Sequence, residues 1–212
     1  MTLANRATPL PPALVGAEVA QDTLTQDEYE AFKAALPSWR DRLICMMLRN
    51  TGLRINELLS LPGAHCALGG PSYVIHVVRS KKRKGIETTT VYEPIYINPG
   101  LGVQLRDYIR GNNYTMTEPI FGGGDNQRDA RKITQRGLRF IFEKTGRESI
   151  GRPISPKAFR SFFVQTMVDG NVPMAMAMAS KMVGHEDIRT TQAHYYVLSA
   201  DRRRAIGEGI PV

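Results

Sequence analysis

The sequence has little cysteine and no long apolar stretch. Cys45 and Cys66 are the two cysteines among its 212 residues, too few for a disulfide framework or a zinc ribbon. No run of about 18 apolar residues occurs, and the N-terminus lacks a basic stretch followed by an apolar core, so secretion and membrane spanning are disfavoured. We therefore expect a protein of the cytoplasm with no membrane partner.

Acidic residues are also scarce. Twenty Asp and Glu residues oppose 28 Lys and Arg residues, which gives a formal net charge of +8. An excess of this size indicates a polyanionic partner, and nucleic acid is the first candidate. The length is sufficient for one domain with a good hydrophobic core and too short for two ordinary domains.

The periodicity predicts a mainly helical domain with one β-hairpin. Thr25-Gln-Asp-Glu28 has the spacing of a capping box, and Pro37 should end the helix that follows it. Two β-branched segments, 73–78 and 88–97, predict a hairpin with its turn near Lys84-Gly85. The other predicted helices cover residues 39–50, 53–59, 101–110, 131–145, 156–169, 173–183 and 187–196, with stops at Gly146, Gly170 and Gly184.

Residues 1–22 show neither a helical nor a strand period and carry three prolines, so we expect a flexible arm there. A single domain should then occupy residues 23–212.

Two basic segments could bind phosphate. Arg54 closely follows the Thr51-Gly52 break and begins a helix, where a guanidinium and free amides suit a phosphate oxygen. When this segment is considered alone, a surface ion pair with Glu57 is the plainer interpretation. Lys157 and Arg160 are one helical turn apart and share a face, although an exposed basic stripe is the plainer interpretation.

Two further segments complete the pattern. Residues 79–84, Arg-Ser-Lys-Lys-Arg-Lys, place five basic residues in six positions at the predicted hairpin tip, which is typical of a solvated loop that touches phosphate. Residues 184–196 begin with Gly184-His185, pass through Thr190-Thr191 and reach Tyr195-Tyr196. Packing alone does not account for a Gly-His helix end followed by paired tyrosines.

In order and spacing, the four segments resemble the boxes of the tyrosine recombinase, or phage integrase, family over about residues 25–196. The resemblance implies an α+β fold, mainly α-helical with a small antiparallel sheet. It also implies a site-specific recombinase that cleaves and rejoins double-stranded DNA through a 3′-phosphotyrosyl intermediate, without metal or other cofactor. A tetramer on DNA is the expected assembly.

By the same resemblance, the catalytic residues are Arg54, Lys81, Lys157, Arg160, His185 and Tyr195. Arg54 and Arg160 would hold the scissile phosphate, Tyr195 would attack phosphorus, a hairpin lysine would protonate the leaving oxygen, and His185 would contact the phosphate or assist proton transfer. Lys157 stands where most relatives have histidine, which favours charge stabilisation there. Lys82 or Lys84 could replace Lys81, and Tyr196 is the alternative to Tyr195.

Other basic residues are expected to contact the DNA backbone, namely Lys82, Arg83, Lys84, Arg128, Arg131, Lys132, Arg136 and Arg139. Relatives typically carry a separate helical DNA-clamping domain before the catalytic domain, and we expect none here. A type IB topoisomerase and a non-catalytic DNA-binding accessory protein are the competing hypotheses. Integration, inversion, transposition and resolution are all compatible with the sequence.

Overall fold

A computed structural model describes residues 23–69, 72–81, 89–122, 132–170, 174–184 and 189. Three expectations lie outside the described residues: the flexible arm over 1–22, the hairpin turn near Lys84-Gly85, and all but one residue of the helix expected over 187–196.

Seven α-helices are described, and six have bounds within about two residues of the predicted ones. The fifth, predicted over residues 131–145, instead runs from Gln135 to Ile150. Thr25 begins α1 with the predicted capping box: its Oγ1 accepts from the Glu28 amide at 3.2 Å, and Glu28 Oε2 accepts from the Thr25 amide at 2.9 Å. Across the described ranges, none of the helices combines the length and the apolar character needed to span a membrane. The helices are α1 Gln26–Ala35, α2 Trp39–Thr51, α3 Ile55–Leu59, α4 Pro99–Gly111, α5 Gln135–Ile150, α6 Pro156–Asp169 and α7 Ala175–Met182.

The predicted hairpin is present and gains a short third strand. The strands β1 Cys66–Ala67, β2 Tyr73–Lys81 and β3 Thr89–Ile97 form an antiparallel sheet in the order β1-β2-β3. One face packs on the core through buried residues that alternate along β2 and β3, because successive side chains in a strand point to opposite faces. These are Ile75, Val77, Ile95 and Ile97. The mainly helical fold with a small antiparallel sheet is thereby confirmed.

The helical core centres on three phenylalanines that join α1, α5 and α6. Phe32, Phe142 and Phe159 are each fully buried, and their ring centroids lie 5.2 to 5.7 Å apart. The contacts are edge-to-face or tilted, the arrangements that aromatic rings prefer. This cluster fixes α5 and α6 relative to each other, and these two helices supply most of the site described below.

The predicted stop at Gly146 is wrong. Helix α5 continues to Ile150 and ends at Gly151, which has φ +78°. Gly146 is buried within the helix, and a Cβ there would lie 2.6 Å from the Arg152 carbonyl oxygen and 2.8 Å from the Ile154 amide nitrogen. The glycine therefore allows the chain leaving α5 to pass closely over the helix it has just left.

An ion pair fastens this returning chain to α1. Arg152 Nε and Nη2 donate to the two carboxylate oxygens of Glu28 at 2.9 and 2.8 Å, and Nη2 also donates to the Thr23 carbonyl at 2.7 Å. The Arg152 guanidinium holds the pKa of the Glu28 carboxyl below its ordinary value. Arg152 thus anchors the connection between α5 and α6 to the start of the described chain before the connection reaches the site.

Replacing Gly146 with alanine should destabilise the fold, although alanine is the better helix former. The methyl group would collide with backbone atoms that can move only with the whole α5–α6 connection, and we expect a loss of about 1–3 kcal/mol in the free energy of unfolding, measured by urea denaturation. The control is Gly111→Ala, because within the described residues no atom beyond its chain neighbours and its own helix backbone lies within 4 Å of a Cβ at Gly111. That variant should be neutral or stabilised by up to about 1 kcal/mol. Equal effects at both positions would contradict the close approach.

A basic cleft as the candidate active site

A cleft of about 480 Å³ lies where the start of α3 meets α5 and α6. Four cationic side chains line it: Arg54, Arg139, Lys157 and Arg160. The other lining residues are Leu53, Ile55, Asn56, Gln135, Glu143, Ser155 and Pro156. A concave site with clustered cations is suited to an anion such as a phosphodiester.

The break before Arg54 depends on a glycine. Gly52 ends α2 with φ +62°, a conformation that L side chains rarely adopt. A Cβ at Gly52 would also lie 2.5 Å from Cδ1 of Phe163. The chain can therefore turn at Gly52 and present Arg54 as the N-cap residue of α3, at the edge of the cleft.

Glu57 holds Arg54 in place. Its Oε2 accepts from the Arg54 amide at 2.7 Å, and its Oε1 accepts from Arg54 Nη1 at 3.0 Å. The Arg54 side chain remains 50% exposed, whereas that of Glu57 is 13% exposed. The two interpretations of this segment are compatible, since the ion pair with Glu57 orients a guanidinium that also lines the cleft.

Arg160 connects three segments of the chain. This side chain of α6 is buried, at 4% exposure. Its Nη1 donates to the Gly52 carbonyl at 2.8 Å, and its Nη2 donates to the carbonyl of Val183, just after α7. The guanidinium thus bridges the turn before Arg54 and the residue that precedes Gly184-His185. Charge-assisted bonds to carbonyls offset part of the cost of burying the cation.

Lys157 lies one turn before Arg160 on the same helix. Ser155 is the N-cap of α6 and Pro156 is its first residue, a position that proline favours. Lys157 is exposed where it lines the cleft. The structure therefore brings together three of the six predicted catalytic residues, which come from two distant segments of the sequence.

The structure does not describe the side chains of the other three. Lys81 ends β2, where its backbone pairs with Thr89. His185 and Tyr195 lie outside the described residues, as do the predicted DNA contacts Lys82, Arg83, Lys84, Arg128 and Arg131.

The side chain of Lys132, a predicted DNA contact, is buried and makes its contacts within the protein. It is 9% exposed, its ammonium donates to the Pro119 carbonyl, and Nζ lies 4.2 Å from the centroid of the Tyr114 ring. Its own carbonyl accepts from Arg40 Nη1 at 3.0 Å. Lys132 therefore fastens the chain before α5, and the geometry does not place it beside the cleft cations. Arg136, in the first turn of α5, is exposed as expected.

Helix α5 contributes more to the cleft than the sequence indicated. Gln135, Arg139 and Glu143 are spaced four residues apart, so they share one face of the helix, and all three line the cleft. The spacing was visible in the sequence. The sequence does not reveal the orientation of α5, which is set by Phe142 and Leu138 packing into the core.

The phage integrase family model matches residues 22–202 of the chain. Tyrosine recombinase XerA of Thermococcus kodakarensis is 24% identical over 184 residues, which cover 86% of this chain and 60% of that protein. Tyrosine recombinase XerC of Bifidobacterium longum is 24% identical over 188 residues, covering 87% of this chain and 51% of that protein. The chain thus spans between half and two thirds of the length of these relatives.

Solved structures have the same fold. The crystal structure of XerA recombinase has a TM-score of 0.65 and 17% identity, with 90% of this chain and 66% of that one covered. XerH site-specific recombinase bound to its difH substrate, in a pre-cleavage complex, has a TM-score of 0.63 and 18% identity, with 88% and 52% covered.

Substitutions at the two arginines should separate a structural from a surface role. Arg160→Ala leaves two carbonyl groups without this donor, and we expect the free energy of unfolding to fall by about 2–4 kcal/mol. Arg54→Ala removes a half-exposed ion pair and should cost less than about 1 kcal/mol. Urea denaturation of both variants measures the difference. Similar losses would show that Arg160 does not connect the segments as described.

Proposed function

The chain belongs to the phage integrase family, and on this premise we propose that it is a site-specific recombinase that cleaves and rejoins double-stranded DNA. The observation that carries the proposal is the meeting of Arg54, Lys157 and Arg160 in one cleft. These residues belong to two of the segments by which the sequence resembles the family. The names of the relatives, tyrosine recombinases XerA and XerC, support the same activity.

In the proposed reaction, the phenol oxygen of Tyr195 attacks the scissile phosphorus and the bond from phosphorus to the 5′-oxygen breaks. The phenol proton is lost, and the departing 5′-oxygen gains one to become a hydroxyl. The products are a 3′-phosphotyrosyl linkage and a free 5′-hydroxyl. A 5′-hydroxyl of another strand then attacks the linkage and regenerates the phenol, so no external energy source is needed.

The cleft supplies the electrostatic part of this reaction. An unperturbed phenol has a pKa of about 10, so its proton must be lost during attack. Arg54 and Arg160 would bind the non-bridging oxygens and offset the charge that develops at phosphorus. A lysine ammonium has donors and no acceptor, so Lys157 would add positive charge and would not act as a neutral base. Lys81 and His185 keep their predicted roles in proton transfer and phosphate contact.

The finer assignments belong to the same proposal. We propose that the partner is duplex DNA, that four copies assemble on it, and that the reaction takes place in the cytoplasm. Residues 23–212 would form the catalytic domain after an arm over 1–22. The DNA-bound state of the XerH relative and the net charge of +8 support the DNA partner.

A trapping experiment tests the activity. Duplexes of random sequence, each nicked near the centre, release a short 5′-hydroxyl fragment on cleavage, so the covalent intermediate accumulates as an adduct that resists denaturing electrophoresis. We expect an adduct with the wild-type chain and none with Tyr195→Phe. Tyr196→Phe is the matched control and should retain it. Arg54→Ala should slow adduct formation by about 10²–10³-fold.

Other results would favour the competing functions. Duplex binding without any adduct would indicate an accessory DNA-binding protein. Relaxation of supercoiled plasmid by a monomer, without strand exchange, would indicate a topoisomerase. Loss of the adduct in Tyr196→Phe alone would reassign the nucleophile.

A further inference from the structure

Helix α5 exposes a large apolar side chain on a charged surface. Phe140 is 66% exposed, although its neighbours Leu138 and Phe142 are fully buried. A phenyl ring on the surface gains nothing from the protein core, and contact with an external partner would remove it from water.

Cations surround Phe140 along the helix. A residue of an α-helix is rotated by about 100° from the one before it, which places Arg136, Lys144 and Arg147 within about 40° of Phe140, one or two turns away. All three are exposed. Two carboxylates share the region: Glu143 lies 3.9 Å from Arg147, and Glu148 lies 3.9 Å from Lys144. The helix carries four cations and two carboxylates, so its surface favours a polyanion.

This surface is continuous with the cleft. Arg139 and Glu143 line the cleft, and Phe140 is about 100° around the helix from Arg139. A helix of 16 residues is about 24 Å long, and the major groove of B-DNA, about 12 Å wide, admits an α-helix. A duplex with one phosphate in the cleft can therefore present the bases next to that phosphate to α5.

We infer that Phe140 reads the 5-methyl group of a thymine in the major groove beside the cleaved phosphate. The inference rests on the proposed function, because it assumes that the cleft holds a DNA phosphate. Thymine is the one base that offers an apolar group in the major groove, and phenylalanine is among the side chains that contact it. Arg136 and Lys144 lie before and after Phe140, where they can contact phosphates on either side of the base.

The charge of the surroundings favours DNA over a protein partner. A stable protein interface buries on the order of 800 Å² on each partner, and a single ring within a charged surface offers little of that area. A thymine methyl needs only a contact of its own size. Burying one such group contributes about 0.8 kcal/mol, which corresponds to about fourfold discrimination between thymine and uracil.

Selection from random duplexes tests the inference. One pool is synthesised with thymine and a second with uracil, which lacks the 5-methyl group, and the DNA bound by the full chain is sequenced. The variants are Phe140→Ala, which removes the contact, and Phe140→Leu, which keeps an apolar side chain. Met116→Ala is the control, because Met116 is 63% exposed and lies outside α5. Phe140 is exposed, so its removal should leave the thermal unfolding midpoint unchanged.

We expect the wild-type chain, Phe140→Leu and Met116→Ala to enrich thymine at one position of the bound sequence. In the uracil pool, enrichment at that position should be about fourfold weaker. Phe140→Ala should lose that preference while keeping the others and the covalent adduct. The inference is overturned if Phe140→Ala enriches the same thymine, if it weakens all sequences equally, or if the wild-type chain treats thymine and uracil alike. In those cases, an adduct that still forms leaves the proposed function unaffected. If the wild-type chain neither binds duplexes nor forms an adduct, the inference and the proposed function are both refuted.

Discussion

The guanidinium of Arg160 makes the contact on which the candidate site depends. By donating to the carbonyls of Gly52 and Val183, it joins the turn that presents Arg54, its own helix α6, and the end of α7. A buried cation is costly unless it is well bonded, so the backbone around it must keep its conformation. Gly52, with φ +62°, is the residue that allows the turn to take that form.

Local features of the fold could be predicted from the sequence because they depend on neighbouring residues. The capping box at Thr25 and the pairing of β2 with β3 follow from residue spacing and side-chain type. Gly146 could not be interpreted in this way. A glycine is needed there because the Arg152 carbonyl packs against the helix after the chain has turned back. In the sequence alone, Gly146 resembles an ordinary helix stop.

The candidate site shows the same division between local and tertiary effects. Family resemblance selected Arg54, Lys157 and Arg160, and the fold brings them into one cleft. Lys132 belongs to an equally basic sequence segment, yet it points to the Pro119 carbonyl and the Tyr114 ring. Which cations face the cleft depends on how α5 and α6 rotate, and the phenylalanine core determines that rotation.

The central claim is that Arg54 and Arg160 bind one phosphate together. The most direct measurement is a crystal structure of the Tyr195→Phe variant with a duplex selected by the chain itself. The account predicts one phosphorus whose non-bridging oxygens accept hydrogen bonds from both guanidinium groups, with Lys157 beside them. A duplex bound on another surface, with Arg54 still paired to Glu57 and no phosphate in the cleft, would contradict it.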